Sequence, residues 1–171
     1  MRAVRDSSTT AKLLINGRAD VALAVGADGV HLPWGELAAS EVRALWTQCS
    51  GSQPLIGVSA HTTADILDAK AQGADFAVFA PIFEKVQTRT PGVGLDLLRE
   101  ACGRLRESDN IAAVACFPVL ALGGVMLSNA QACIEAGAAG VAGIRLFQQG
   151  DVFETVRRLR ERNGLGPFAS A

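Results

Sequence analysis

Three short segments of the chain resemble one another, and this repeat limits the possible folds more than any other feature of the sequence. The segments are residues 25–30 (VGADGV), 72–77 (QGADFA) and 136–141 (AGAAGV). Each follows a stretch rich in Ala and Leu and precedes a short apolar run, which is typical of a helix that ends at a glycine and leads into a strand. The repeat therefore predicts a chain in which helices and strands alternate.

The alternation predicts six strands that are short and apolar almost throughout, as is typical of buried parallel strands. They are expected at residues 12–16, 29–32, 54–58, 75–79, 118–121 and 140–143. Helices are expected at residues 19–25, 39–48, 63–72, 94–107, 128–136 and 151–162. Thr62 and Ser128 are the predicted N-caps. This order of elements indicates a parallel α/β fold, either a (β/α)8 barrel or an open, doubly wound sheet.

Glycine and polar residues gather after the predicted strands, where a (β/α)8 barrel carries its active site. The first strand also lacks the G-x-G-x-x-G motif of dinucleotide-binding open sheets, so we expect the barrel. A barrel of about 250 residues uses about 31 per βα unit, so this chain holds about five to six units. Because the last predicted helix is complete, we expect a partial TIM-barrel domain over residues 1–164 that lacks the first two βα units. A loose tail is expected at residues 165–171.

The composition excludes several classes of protein. Hydrophobic residues make up 49% of the chain and charged residues 19%, which is typical of a folded globular protein. The net charge of -1 predicts no nucleic-acid partner. No apolar run reaches the roughly 18 residues that would span a membrane, and the first residues lack a secretory signal, so we expect a cytoplasmic protein with no membrane partner. The four cysteines show no C-x-x-C spacing, so we expect no metal site on them.

Four segments at predicted strand ends resemble the thiamin phosphate synthase and TenI superfamily of (β/α)8 barrels. They are residues 14–33, 56–61, 73–83 and 120–125. The resemblance implies a role in thiamine biosynthesis and a small-molecule thiazole phosphate as ligand. It also implies one of two reactions. The synthase joins hydroxymethylpyrimidine pyrophosphate to thiazole phosphate with Mg²⁺, whereas the TenI-type tautomerase moves a proton on a carboxylated thiazole phosphate without a metal.

Two positions favour the TenI branch. In the synthase, two Asp residues at neighbouring strand ends hold the Mg²⁺ ion, and the corresponding residues of this chain are Gly17 and Glu36. Mg²⁺ is usually held by one or two carboxylates together with phosphate oxygens, so the loss of one carboxylate weakens such a site. We therefore expect no cofactor, with Mg²⁺ required only if the chain is a synthase.

His61 is the candidate catalytic residue. It follows a predicted strand and matches the His that TenI-type tautomerases use for proton transfer. An imidazole with a pKa of about 6.5 can both take and give a proton at cellular pH. The alternative is that His61 caps the helix that follows it. His31, at another strand end, is expected to have a structural hydrogen-bonding role.

The resemblance also assigns residues that contact the substrate. The candidates for substrate binding are Asn16, Glu36, Ser59 and Lys85. Gly123 and Gly124 follow a strand and would let backbone N–H groups approach a phosphate. Arg145 departs from the family, which usually has a small residue such as Ser there, and its guanidinium is expected to clamp the same phosphate. Lys85 belongs to the loop at residues 81–94, which corresponds to the family's loop over the substrate. A solvated loop is the alternative for that segment.

Three hypotheses follow for the function. The first is a TenI-like thiazole tautomerase that uses His61 for proton transfer. The alternative is a thiamine phosphate synthase in a truncated or degenerate form, and the second alternative is a non-catalytic protein that binds a phosphate ligand. Because the first and last predicted strands would each lose a neighbour, we also expect self-association.

Overall fold

The computed structural model describes residues 11–84, 91–108, 117–148 and 150–162. Within these ranges the order of the six strands in the sheet follows their order in the chain. The strands are β1 (Leu14–Asn16), β2 (Gly29–Leu32), β3 (Leu55–Ala60), β4 (Phe76–Phe79), β5 (Val119–Ala121) and β6 (Gly140–Val141). The helices are α1 (Ala19–Ala24), α2 (Ala39–Ser50), α3 (Thr63–Ala71), α4 (Gly94–Ser108), α5 (Ala130–Glu135), α6 (Arg145–Gln148) and α7 (Val152–Arg162).

The strands pair in parallel, and their register aligns the strand ends. Asn16 of β1 lies opposite His31 of β2, and His31 lies opposite Gly57 of β3. Leu120 of β5 lies opposite Gly140 of β6, also in a parallel pair. Since a parallel connection must return the chain to the same end of the sheet, each strand is followed by a helix, as the repeat predicts.

The described residues fall into two compact units. The first contains residues up to Ala60 together with 64–77. In it Val30 and Ile56 are fully buried. The Asp75 carboxylate connects α2 to β3. The same Asp75 oxygen accepts hydrogen bonds from Arg43 of α2 at 2.8 Å and from the backbone N–H of Ile56 at 2.7 Å. This contact fixes the entry of β3 next to the loop that leads into β4.

The second unit contains residues 61–63 and those from Val78 onward. Its core includes Phe79, Leu98 and Val119. Backbone hydrogen bonds connect the segment after β4 to the end of β5: Leu122 N–H donates to Phe79 O at 3.0 Å, and Ile82 N–H donates to Leu122 O at 2.8 Å. The end of β5 is therefore held directly against the segment that follows β4.

Several predicted boundaries are wrong by a few residues. The strand expected at 54–58 continues to Ala60, and α6 was not predicted at all. Ser128 is not an N-cap: α5 begins at Ala130 and the residue before it is Asn129, whose Oδ1 accepts the Met126 N–H at 2.8 Å. Thr62 directly precedes the first residue of α3, as expected for an N-cap.

Two predictions fall on parts of the chain that the structure does not describe. The tail at 165–171 and Lys85 both lie outside the described residues. The single partial-barrel domain over residues 1–164 stays a prediction. No helix among the described residues is long and apolar enough to cross a membrane.

Candidate functional site

Three polar side chains meet at the carboxyl ends of β1, β2 and β3, within the first unit. His31 Nδ1 lies 2.9 Å from Asn16 Oδ1, and His31 Nε2 lies 3.5 Å from Ser59 Oγ. The strand register explains the meeting. Asn16 lies opposite His31, and His31 lies opposite Gly57. Ser59 is two positions beyond Gly57, so its side chain is on the same face of the sheet. We call these three residues the Asn16–His31–Ser59 network.

The hydrogen bonds of this network define the protonation of His31. Because an amide oxygen only accepts, the ring nitrogen facing Asn16 Oδ1 carries the proton. Burial lowers the pKa of the His31 imidazole below its usual value, which favours the neutral ring. In the neutral ring Nε2 is then an acceptor, and the Ser59 hydroxyl donates to it.

Glu36 lies beside the turn that follows β1. Gly17 donates its N–H to His31 O at 2.8 Å and has a φ of +68°, a conformation that favours glycine. A Cβ atom at Gly17 would lie 3.8 Å from Glu36 Oε2. The two positions that the sequence pattern singles out, 17 and 36, are therefore adjacent in space.

In the second unit, His61 follows the last residue of β3. Its Nδ1 donates to the backbone oxygen of Ala80 at 2.7 Å, just after β4, and this bond holds the imidazole in one orientation. The residue itself is exposed. A fixed and solvent-accessible imidazole suits proton transfer with a bound molecule.

Gly123 and Gly124 have φ values of +98° and +62°, and both lie close to other parts of the second unit. A Cβ at Gly123 would come within 2.7 Å of Pro81, and one at Gly124 within 2.7 Å of Phe83. Both glycines are thus required by local packing. Their binding of phosphate stays a prediction, as does that of Arg145, which is exposed at the first position of α6.

Comparison with known proteins identifies the family. A family model described as thiamine monophosphate synthase matches residues 2–147. The chain belongs to this family. It is 37% identical over 165 residues to the thiamine-phosphate synthase of Methanoculleus marisnigri, an alignment covering 94% of this chain and 72% of that one. It is 38% identical over 132 residues to the thiamine-phosphate synthase of Chlorobium phaeovibrioides, covering 77% and 57% respectively.

A solved member of the family supports the same architecture. The thiamine phosphate pyrophosphorylase from Pyrococcus furiosus superposes with a TM-score of 0.71 and 26% identity, covering 96% of this chain and 73% of that structure. The α/β fold with six parallel strands, of TIM-barrel type, is thereby confirmed. The chain spans little more than half the length of some curated relatives. Its placement on the TenI branch and its two missing βα units stay predictions.

The resemblance implies that a synthase would place its Mg²⁺ carboxylates at the positions of Gly17 and Glu36. The structure brings the two positions together but supplies a single carboxylate, that of Glu36. One carboxylate together with substrate phosphate oxygens satisfies the usual coordination of Mg²⁺ in proteins. The described residues hold no group of three or more His, Cys, Asp or Glu side chains that could bind a metal ion, so a Mg²⁺ ion at Glu36 would have to be held largely by a phosphate ligand.

The structure groups some of the predicted site residues. Asn16 and Ser59 both contact His31, and Glu36 adjoins the turn after Asn16. The linking role of His31 was missed, because the sequence assigned it only a structural hydrogen bond. No pattern in the sequence signals the network, because it depends on the register that places His31 opposite Asn16.

Proposed function

We propose that the protein acts in thiamine biosynthesis as a transferase of the synthase type, joining hydroxymethylpyrimidine pyrophosphate to thiazole phosphate. The observation that carries the proposal is the placement of Glu36 beside residue 17, at the strand ends where Asn16 and Ser59 also meet. The relatives named thiamine-phosphate synthase support the synthase over the tautomerase.

Three site residues of the first unit, Glu36, Asn16 and Ser59, have roles in this reaction. Glu36 contributes the carboxylate that would hold Mg²⁺, and that ion, when bound, neutralises the charge of the pyrophosphate leaving group. Asn16 and Ser59 offer amide and hydroxyl groups to the substrates. In the transfer, the bond from the pyrimidine methylene to the pyrophosphate oxygen breaks, and a bond from that methylene to the thiazole nitrogen forms.

The glycine at position 17 makes this synthase unusual. A site with one carboxylate holds Mg²⁺ more weakly than a site with two, so the reaction should require more Mg²⁺. We therefore expect condensation whose rate still rises when Mg²⁺ reaches millimolar concentrations.

Thiazole tautomerisation is the second candidate, and His61 favours it. The bond from His61 Nδ1 to Ala80 O fixes the ring and exposes the imidazole for proton transfer. In this reaction the imidazole removes a proton from one ring position of the carboxylated thiazole phosphate and returns it at another. No metal takes part.

Two assays on the purified protein and its variants separate the candidates. Condensation is followed by chromatography of thiamine phosphate at several Mg²⁺ concentrations, and tautomerisation by proton NMR of the thiazole. The synthase proposal predicts that Glu36→Gln lowers condensation about tenfold or more, because a charged contact contributes about 1.5–3 kcal/mol. Glu41→Gln, on α2, is the matched control and should leave the rate unchanged.

The outcomes differ for each hypothesis. If the protein tautomerises the thiazole and His61→Ala lowers that rate by a factor of about 100 to 10,000, the second candidate replaces the first. If it binds thiazole phosphate and catalyses neither reaction, it is the non-catalytic phosphate-binding protein.

A further inference from the structure

The Asn16–His31–Ser59 network contains a hydrogen bond whose direction depends on the charge of His31. With Nδ1–H committed to Asn16 Oδ1 at 2.9 Å, the neutral ring has only a lone pair at Nε2, and Ser59 must donate. When the ring is cationic, Nε2 carries a proton and Ser59 must accept. A single proton on His31 therefore decides whether the Ser59 hydrogen is available to a ligand.

The position of Ser59 suits an anionic ligand. Ser59 is half-buried near the carboxyl end of β3, the end at which parallel α/β proteins bind their ligands, and α3 begins shortly after it at Thr63. A phosphate or pyrophosphate oxygen has no hydrogen to give, so it can bind the Ser59 hydroxyl only by accepting its hydrogen.

We propose that His31 couples the binding of an anion at Ser59 to the uptake of one proton. The proposal rests on the proposed function only for the choice of a phosphate or pyrophosphate oxygen as the natural ligand. In the free protein Ser59 O–H donates to His31 Nε2. On binding, the Ser59 hydrogen turns to the anion, and Nε2 takes a proton from solvent and donates it to Ser59 Oγ. No bond in the ligand breaks, and the new cation offsets one unit of the bound negative charge.

The surroundings of His31 agree with this coupling. Burial lowers the pKa of the free imidazole, which favours the neutral ring that can take up a proton when an anion arrives. On β1 the ring faces the uncharged Asn16, and the next charged residue, Arg18, is paired with Asp20 at 2.6 Å. In the loop after β2, Glu36 adjoins Gly17.

The remaining elements add few charges. On β3 the ring faces the Ser59 hydroxyl, and the next titratable residue along that segment is His61, whose Nδ1 donates to Ala80 O. At the start of α2, Glu41 Oε2 accepts the Ala38 N–H. A dianion at Ser59 would therefore be a new and strong influence on the ring.

The sign of the pH dependence follows from these two states. Anion binding raises the pKa of His31, so affinity increases as the pH falls through the pKa of the bound state. It levels off below the lower pKa of the free state. Between those two values the dissociation constant changes by up to about tenfold per pH unit.

Sulfate is the probe, because it stays a dianion throughout pH 5–8 and its own titration does not interfere. Proton and nitrogen NMR of the two histidines gives the tautomer and pKa of His31, with and without sulfate, at an ionic strength matched with chloride. We expect the Nδ1–H tautomer in the free protein and a rise of about 1 or more in the pKa of His31 with sulfate.

Variants test the path of the coupling. Ser59→Ala should lose most of the sulfate-dependent rise, whereas Ser52→Ala, three residues before β3 begins, should keep it. His31→Gln should bind sulfate with an affinity independent of pH. An Nε2–H tautomer in the free protein, or a pKa of His31 that sulfate leaves unchanged, would overturn the proposal. Since the experiment measures only anion and proton, its result is independent of whether the protein catalyses condensation.

Discussion

Restoring a carboxylate at position 17 is the sharpest perturbation of the candidate site. Gly17→Asp places an acidic side chain next to Glu36, because a Cβ at Gly17 would lie 3.8 Å from Glu36 Oε2. The change should weaken the folded protein without Mg²⁺ and strengthen Mg²⁺ binding. Gly17→Asn is the matched control, since it has the same shape and no charge.

Two effects set the magnitude. Residue 17 has a φ of +68°, which costs a residue other than glycine about 1–2 kcal/mol, and Asp and Asn share this cost. The Asp carboxylate lies one bond beyond the Cβ atom of residue 17, so the two charges would be about 4–6 Å apart and repel each other by up to about 1 kcal/mol in a solvated setting, which applies here because Glu36 is exposed. Only the Asp variant suffers this repulsion, so the two variants should differ by up to about 1 kcal/mol.

Thermal unfolding measures that difference. For a chain of this size, about 1 kcal/mol corresponds to about 2–4 °C in Tm, so the Asp variant should melt lower than the Asn variant by up to that amount in the absence of Mg²⁺. Millimolar Mg²⁺ should close or reverse the gap and should raise the condensation rate of the Asp variant above that of the natural protein. If the Asp and Asn variants have equal Tm values with and without Mg²⁺, residues 17 and 36 do not form a common site.

Three further predictions concern stability and assembly. Asp75→Asn should lower the free energy of unfolding, measured in urea, by about 1–3 kcal/mol, because Asp75 accepts hydrogen bonds from both Arg43 and the Ile56 N–H. The control Asp96→Asn, at an exposed position of α4, should lower it by less than about 1 kcal/mol. Equal losses in the two variants would show that the Asp75 hydrogen bonds do not stabilise the fold. Burial lowers the pKa of His31, so the unfolded chain takes up that proton first as the pH falls. Stability should then decline below about pH 6.5, and His31→Gln should flatten the decline; an unchanged pH profile would argue against a buried neutral ring. Light scattering on the protein as it elutes from a size-exclusion column should show self-association, because the first and last strands are expected to lack a neighbour. A monomer that melts cooperatively would show instead that β1 and β6 are shielded within one molecule.

The repeat of helix, glycine and strand was sufficient to place all six strands. The errors arise where tertiary contacts decide the boundary. β1 begins at Leu14 rather than Lys12, and the N–H of Leu13 donates to the Asp28 side chain at 2.9 Å. The short helix α6 has only four residues and no capping pattern that a sequence could reveal.

The candidate site was predicted only in part, because its central feature depends on register. Asn16 and Ser59 were assigned to substrate on the resemblance alone, and nothing in their spacing says that His31 joins them. Their meeting requires the parallel alignment of β1, β2 and β3, which brings residues distant in sequence to one strand end. Local patterns predict elements, whereas such alignments arise only when the elements pack.

Phosphorus NMR of a reaction mixture shows directly whether the protein catalyses the condensation. The purified protein is mixed with hydroxymethylpyrimidine pyrophosphate, thiazole phosphate and Mg²⁺, and the spectrum is followed over time. We expect the signals of the pyrophosphate ester to disappear while free pyrophosphate and thiamine phosphate appear in equal amounts, faster with more Mg²⁺ and more slowly in Glu36→Gln. Intact substrates after many hours, with a protein shown to be folded and to bind thiazole phosphate, would contradict it.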